Sequence, residues 1–240
     1  PGRSPTRVGT AESAVRALAA ATAAGAILGV VIGGVGGRIA MGFLASLNPE
    51  DKGVISDDGF QMGRITLGGT AQFLLTALQF GLIAGLIYLA LRSLAIGPRW
   101  VRIASLTAGG TVVFGALVIH DGVDFTLLQP AWLPVVLFLA IPLIYIPAAG
   151  ILTERWLRPT SWFNTADKRK VAAVLLVWIA TGVLVLLAAF ALAAAFVARE
   201  AVSHLSASTR SAGAWAARAV LGAIGVVALL ALISDVNTYA

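Results

Sequence analysis

From Val171 to Val197 the chain carries no charged side chain, and its only polar side chains there are Trp178 and Thr181. A run of this length exceeds the roughly 20 residues that a helix needs to cross about 30 Å of hydrocarbon. In lipid every backbone N–H and C=O must be satisfied within the structure, so such a run folds as a helix. Further apolar runs predict a polytopic, all-α transmembrane bundle of six spans, at about 15–47, 67–94, 101–119, 132–152, 171–197 and 214–233. Residues 1–13 read as a polar, basic tail and 14–240 as a single transmembrane domain. A transmembrane barrel would show alternating segments of about ten residues instead of uniform ones. Only 12% of residues are charged, about half of the roughly 25% usual in soluble domains.

Charge matters here by position. The net charge of +6 collects at span ends, where Lys and Arg set orientation and meet anionic lipid, so nucleic acid is not an expected partner. The tail, the Arg92–Arg102 turn and the Arg155–Lys170 loop are basic, while the loops around Asp57 and Asp121 are acidic. The positive-inside rule then puts the N-terminus in the cytoplasm, and six spans return the C-terminus there. The expected setting is a plasma membrane, of the bacterial inner-membrane kind. Arg199, Arg210 and Arg218 run against this pattern, since six spans place them on the outer side.

Gly25, Gly29, Gly33 and Gly37 recur every fourth residue in the first span and form a face almost without side chains. Lipid gives no hydrophobic drive for helix association, so such faces act by close backbone packing. The face is expected to pack against another helix, within the bundle or in a partner. Arg38 follows at its end. At the centre of a span a charge costs about 2.5–3.5 kcal/mol on insertion scales. The expected compensation is snorkelling to headgroups or an ion pair with an outer carboxylate, Asp58, Asp121 or Asp124.

Asp57, Asp58, His120, Asp121 and Asp124 make an outer polar cluster with the chemistry of a hard-cation site or an acid/base pair. No EF-hand or His-Glu-x-x-His spacing supports either, so solvated loops are expected, with no catalytic residues, no metal site and no cofactor. The absence of cysteine excludes thiolate ligands and disulfides. Gln72, Thr76 and Gln79 share one face of the second span and could line a polar path. Arg155, Arg158, Lys168, Arg169 and Lys170 could hold anionic headgroups on the cytoplasmic side.

Asp58-Gly59 is a turn signal, consistent with a short surface hairpin. Asn48-Pro49 ends the first span, and Pro142 and Pro147 should kink the fourth. Taken together, these features favour a non-catalytic integral membrane subunit or scaffold. Its expected partners are membrane lipids and another membrane protein or a second copy, met through the glycine-rich first helix. The alternative is a small transporter or channel with its path along the second span.

Overall fold

The computed structural model describes residues 10–57, 59–182, 190–191 and 207–239. Its elements are α1 (Thr10–Leu28), a π-helical segment (Gly29–Gly36), α2 (Gly37–Leu47), α3 (Leu67–Leu91), α4 (Arg99–Val118), the short α5 (Val123–Thr126) and α6 (Trp132–Trp156). Then come α7 (Trp162–Thr165), α8 (Lys168–Ala173), a 3-10 turn (Val174–Leu176), α9 (Val177–Ala180) and the long α10 (Ala207–Tyr239). Among the described residues five helices are long and apolar enough to cross a membrane: Glu12–Leu47, Leu67–Leu91, Arg99–Val118, Trp132–Trp156 and Ser211–Thr238. The chain is an all-α bundle of the membrane class. The predicted span at Val171–Val197 is described at 171–182 and 190–191, with the other 13 of its 27 residues outside the described ones, and its first described part leaves the helix at Gly182, where φ is +97°.

Local chemistry sets the helix ends. The Thr66 side chain caps α3 by accepting from Gly69 N, and Asp167 caps α8 by accepting from Arg169 N. Each carboxylate or hydroxyl satisfies one of the donors that a helix start leaves unpaired. Gly97, with φ +97°, turns the chain before Pro98 and α4. Helix α6 runs unbroken through Pro142 and Pro147. Between the first two spans the chain folds back on itself, with Gly53 N donating to Met62 O, Met62 N to Val54 O and Ser56 N to Phe60 O. Gly59 has φ +78° at the tip of this hairpin.

The first span is the centre of the bundle. Its start packs against α7 and α8 through Ala19, Ala20, Phe163 and Val171. Trp178 of α9 is buried and donates from its indole N–H to Thr22 Oγ1 at 3.0 Å. The length of the span lies against α3, and α6 completes the layer. Helix α4 packs on α6 and α10, with Leu139 and Leu232 both closing on Gly115. In the middle of the first span the predicted regular α-helix is replaced over Gly29–Gly36 by π-helical turns. Their wider hydrogen-bond register ends where the Gly37 N–H is shared between the Gly33 and Gly34 carbonyls.

One feature of the predicted topology is corrected. Arg218, near the start of α10, donates from Nε to Leu94 O at 2.9 Å, which places it beside the basic Arg92–Arg102 turn. The other end of α10 packs Leu232 against Ile119, Phe125 and Val135, beside the acidic loop. Helix α10 therefore runs parallel to α4, and its C-terminal end lies on the acidic-loop side, opposite the start of α1. The predicted return of the C-terminus to the N-terminal side does not hold for this helix. The physical reason lies in Arg218 itself: its bond to Leu94 O joins it to the cations of the Arg92–Arg102 turn at the basic end.

Candidate functional site

The glycine face meets α3 directly. A methyl group on Gly29 would sit 2.6 Å from Ala77 O and 2.8 Å from Gly81 Cα, and one on Gly85 would sit 2.7 Å from Ala21 O. Gly25 is blocked in the same way by the Gly81 carbonyl, Gly33 faces the Ala77 methyl and Gly37 abuts the Phe73 ring. Ala77, Gly81 and Gly85 form a matching small-residue ladder, visible in the sequence as a second fourth-residue repeat. At this crossing Tyr145 of α6 donates to Gly81 O at 2.7 Å, so three helices converge on Gly81.

Some polar groups within the spans are engaged inside the bundle, while the hydroxyls of Thr70, Thr111 and Thr153 are buried without a hydrogen-bond partner among the described residues. The Gln79 amide donates to Thr181 O, while Thr76 is half-buried and Gln72 exposed. None of these three lines either of the clefts described below.

At the basic end, Arg16 Nη1 donates to the carbonyls of Phe163 (2.7 Å) and Ala166 (3.1 Å), and its Nη2 pairs with Glu12 at 2.9 Å. Arg92 pairs with Glu154 at 3.0 Å, linking α3 to α6. Arg155 and Arg158 line a cleft of about 300 Å³ with Trp156 and Trp162. Lys168, Arg169 and Lys170 are exposed on the first turns of α8.

The acidic end is held by side chains that bridge loops. Asp57 accepts from Val123 N at 3.1 Å and Asp124 N at 3.2 Å, capping α5 from the opposite loop. Gly122 is needed there, because a Cβ would collide with the Asp57 carboxylate. Asn48, only 1% exposed, donates to Leu44 O (2.9 Å) and Gln129 O (3.1 Å) and accepts from Gln129 N at 2.7 Å. Sequence reading sees in Asn48-Pro49 only a helix stop. The missed signal is an amide placed where two loops must join. His120 and Asp121 are exposed, with the His120 ring edge-on to Phe125. Asp58 lies outside the described residues.

Arg38 is placed between aromatic rings. Its guanidinium carbon lies 5.3 Å from the Phe60 ring centre and 5.1 Å from that of Phe73, while Phe60 and Phe73 pack edge-to-face. Such contacts are worth roughly 0.5–1 kcal/mol when exposed and about 2 when desolvated. The Arg38 Nε is buried without a hydrogen-bond partner among the described residues. Arg38 and Asp124 line one cleft of about 260 Å³ beneath the hairpin, together with Lys52 and Arg64.

Fold and composition thus define a helical membrane protein. Set against known proteins, the chain matches no family model, no curated protein and no solved structure.

Proposed function

We propose that this chain is a non-catalytic integral membrane subunit or scaffold, a multi-pass protein of a plasma membrane of the bacterial inner-membrane kind. Its basic end faces the cytoplasm in this reading. It packs against a partner membrane protein, or a second copy, and binds lipid. The observation that carries the reading is that four polar side chains within the spans tie one helix to another. Gln79, Tyr145, Thr22 and Trp178 bond to neighbouring helices, which supports a role in holding a fixed architecture.

The ladder Gly25–Gly29–Gly33–Gly37 acts in this reading as a glycine zipper toward α3. Partner contact by the first span then falls on its other face, where Ile27, Val31, Val35, Ile39 and Phe43 are exposed at every fourth position. Arg155 and Arg158, beside Trp156 and Trp162, supply the anionic-headgroup contact on the cytoplasmic side.

Native mass spectrometry of the protein extracted in mild detergent tests the proposal. A stoichiometric second protein or second copy, lost when Val35 is changed to Trp, supports it. A bare monomer, free of protein and lipid in both forms, argues against it.

A further inference from the structure

The cleft beneath the hairpin joins cations to an apolar wall. Its described lining holds three cations, Arg38, Lys52 and Arg64, against one carboxylate, Asp124. Each cation is held in position. The two phenyl rings fix Arg38. The Lys52 stem lies over Gly63, where a methyl would meet Lys52 Cγ at 2.9 Å and φ is +70°. Arg64 donates from Nη1 to Gln61 Oε1 at 3.2 Å, and Gln61 in turn reaches Gly53 O. Arg38 Nε keeps an unspent donor among the described residues. Met41, Leu44 and Phe138 supply the apolar side.

We propose that this cleft binds an anionic phospholipid, its phosphate oxygens taken by Arg38, Lys52 and Arg64 and its acyl chain laid over Met41, Leu44 and Phe138. Cations that line one cleft repel, and a phosphate diester relieves that repulsion while accepting several charge-assisted hydrogen bonds. The apolar wall selects an amphiphile over a soluble phosphate. The cleft lies at the end of the first span, where the hairpin begins. The excess of cations over carboxylate favours an anionic headgroup over a zwitterionic one. With a volume of about 260 Å³, it suits a headgroup rather than a whole ligand of drug size, for which clefts of about 300–1,000 Å³ are usual. The site lies at the end opposite Arg155 and Arg158; it deepens the lipid-binding part of the proposed function and does not depend on partner contact by the first span.

The experiment uses the full chain with Arg155→Gln and Arg158→Gln, so that headgroup binding at the basic end does not mask the result. The delipidated protein is titrated with phosphatidylglycerol, phosphatidylcholine or inorganic phosphate and followed by native mass spectrometry. Phosphatidylglycerol is expected to bind, phosphatidylcholine at least about tenfold more weakly, and inorganic phosphate not to compete at equal concentration. Adding Lys52→Gln and Arg64→Gln, two exposed side chains, should lower phosphatidylglycerol affinity roughly tenfold or more with the thermal midpoint unchanged. Added salt should weaken binding in the form that retains Lys52 and Arg64. Equal binding of both lipids, full competition by inorganic phosphate, no binding at all, or unchanged affinity in the Lys52/Arg64 variant would each overturn the proposal. Partner capture through the Val35 ridge is read separately and does not depend on any of these outcomes.

Discussion

The Tyr145 hydroxyl donates a 2.7 Å hydrogen bond to the Gly81 carbonyl, where the backbones of the first span and α3 touch. An aromatic side chain from a third helix thus locks a crossing made of glycines. The Gly81 carbonyl also lies in the α3 hydrogen-bond ladder, so removing the tyrosine hydroxyl does not orphan it. The bond should therefore contribute modestly, near the roughly 0.6 kcal/mol average for interhelical bonds in membranes. Tyr145→Phe is expected to lower the thermal midpoint by a degree or two, on the order of that energy, in a fixed detergent. A midpoint equal to that of the parent would show that the bond contributes nothing net.

The crossing itself should be far less forgiving. A methyl on Gly81 would stand 2.5 Å from Gly29 Cα, a backbone atom that no rotamer change can move aside. Gly81→Ala and Gly29→Ala should each cost about 1–3 kcal/mol, the usual range for overpacking. Gly42 and Gly109 have nothing within 4 Å of the same position. Alanine there should be neutral or slightly stabilising, because alanine favours helix more than glycine does. Equal losses at all four positions in thermal unfolding would show that the crossing is looser than described.

Much of this crossing is legible in the sequence, because fourth-residue glycine spacing depends only on helical geometry. Its partner is legible too, in Ala77, Gly81 and Gly85, once the same repeat is sought in the second span. The π-helical register over Gly29–Gly36 is not, since it is a choice between hydrogen-bond partners one residue apart that glycine-rich sequence leaves nearly degenerate. Arg38 is instructive in another way. The ladder that aligns Gly37 on Phe73 also brings Arg38 beside that ring, the hairpin adds Phe60, and Asp124 lines the same cleft. Tertiary alignment decides which neighbour a long side chain meets. The direction of α10 was hidden for a related reason: loop charge counting assumes an unbroken alternation of crossings, whereas Arg218 reports its side through a single contact with Leu94.

Asn48 should matter more than its place at a helix end suggests. It is buried and satisfies both the N–H and the carbonyl of Gln129. Asn48→Ala leaves those groups without their partner, at a cost of about 1–3 kcal/mol for buried unsatisfied groups. Asn48→Asp keeps an acceptor for Gln129 N but loses the donor to Gln129 O and Leu44 O, so it should not restore the parent's stability. Thermal unfolding together with limited proteolysis of the 119–131 loop checks this. Parent-like stability and protease resistance in Asn48→Ala would mean that the loops are joined by other contacts.

The orientation of α10 can be tested directly because the chain has no cysteine of its own. Single cysteines replacing Ser93, Ser211, Lys52 and Asn237 would each report one end of a span. Ser93 lies in the turn beside Leu94, and Ser211 lies one end of α10 away from Asn237. Arg218 anchors the Ser211 end of the helix to the Leu94 turn. Leu232 carries the Asn237 end to the Ile119–Val135 cluster, on the side of the hairpin that holds Lys52. In sealed vesicles of uniform orientation, a membrane-impermeant maleimide should therefore label Lys52→Cys and Asn237→Cys from one side. Ser93→Cys and Ser211→Cys should react only after permeabilisation or in vesicles of the opposite orientation. Labelling of Asn237→Cys together with Ser93→Cys would reverse the direction assigned to α10 and restore a bundle whose last span returns to the basic end.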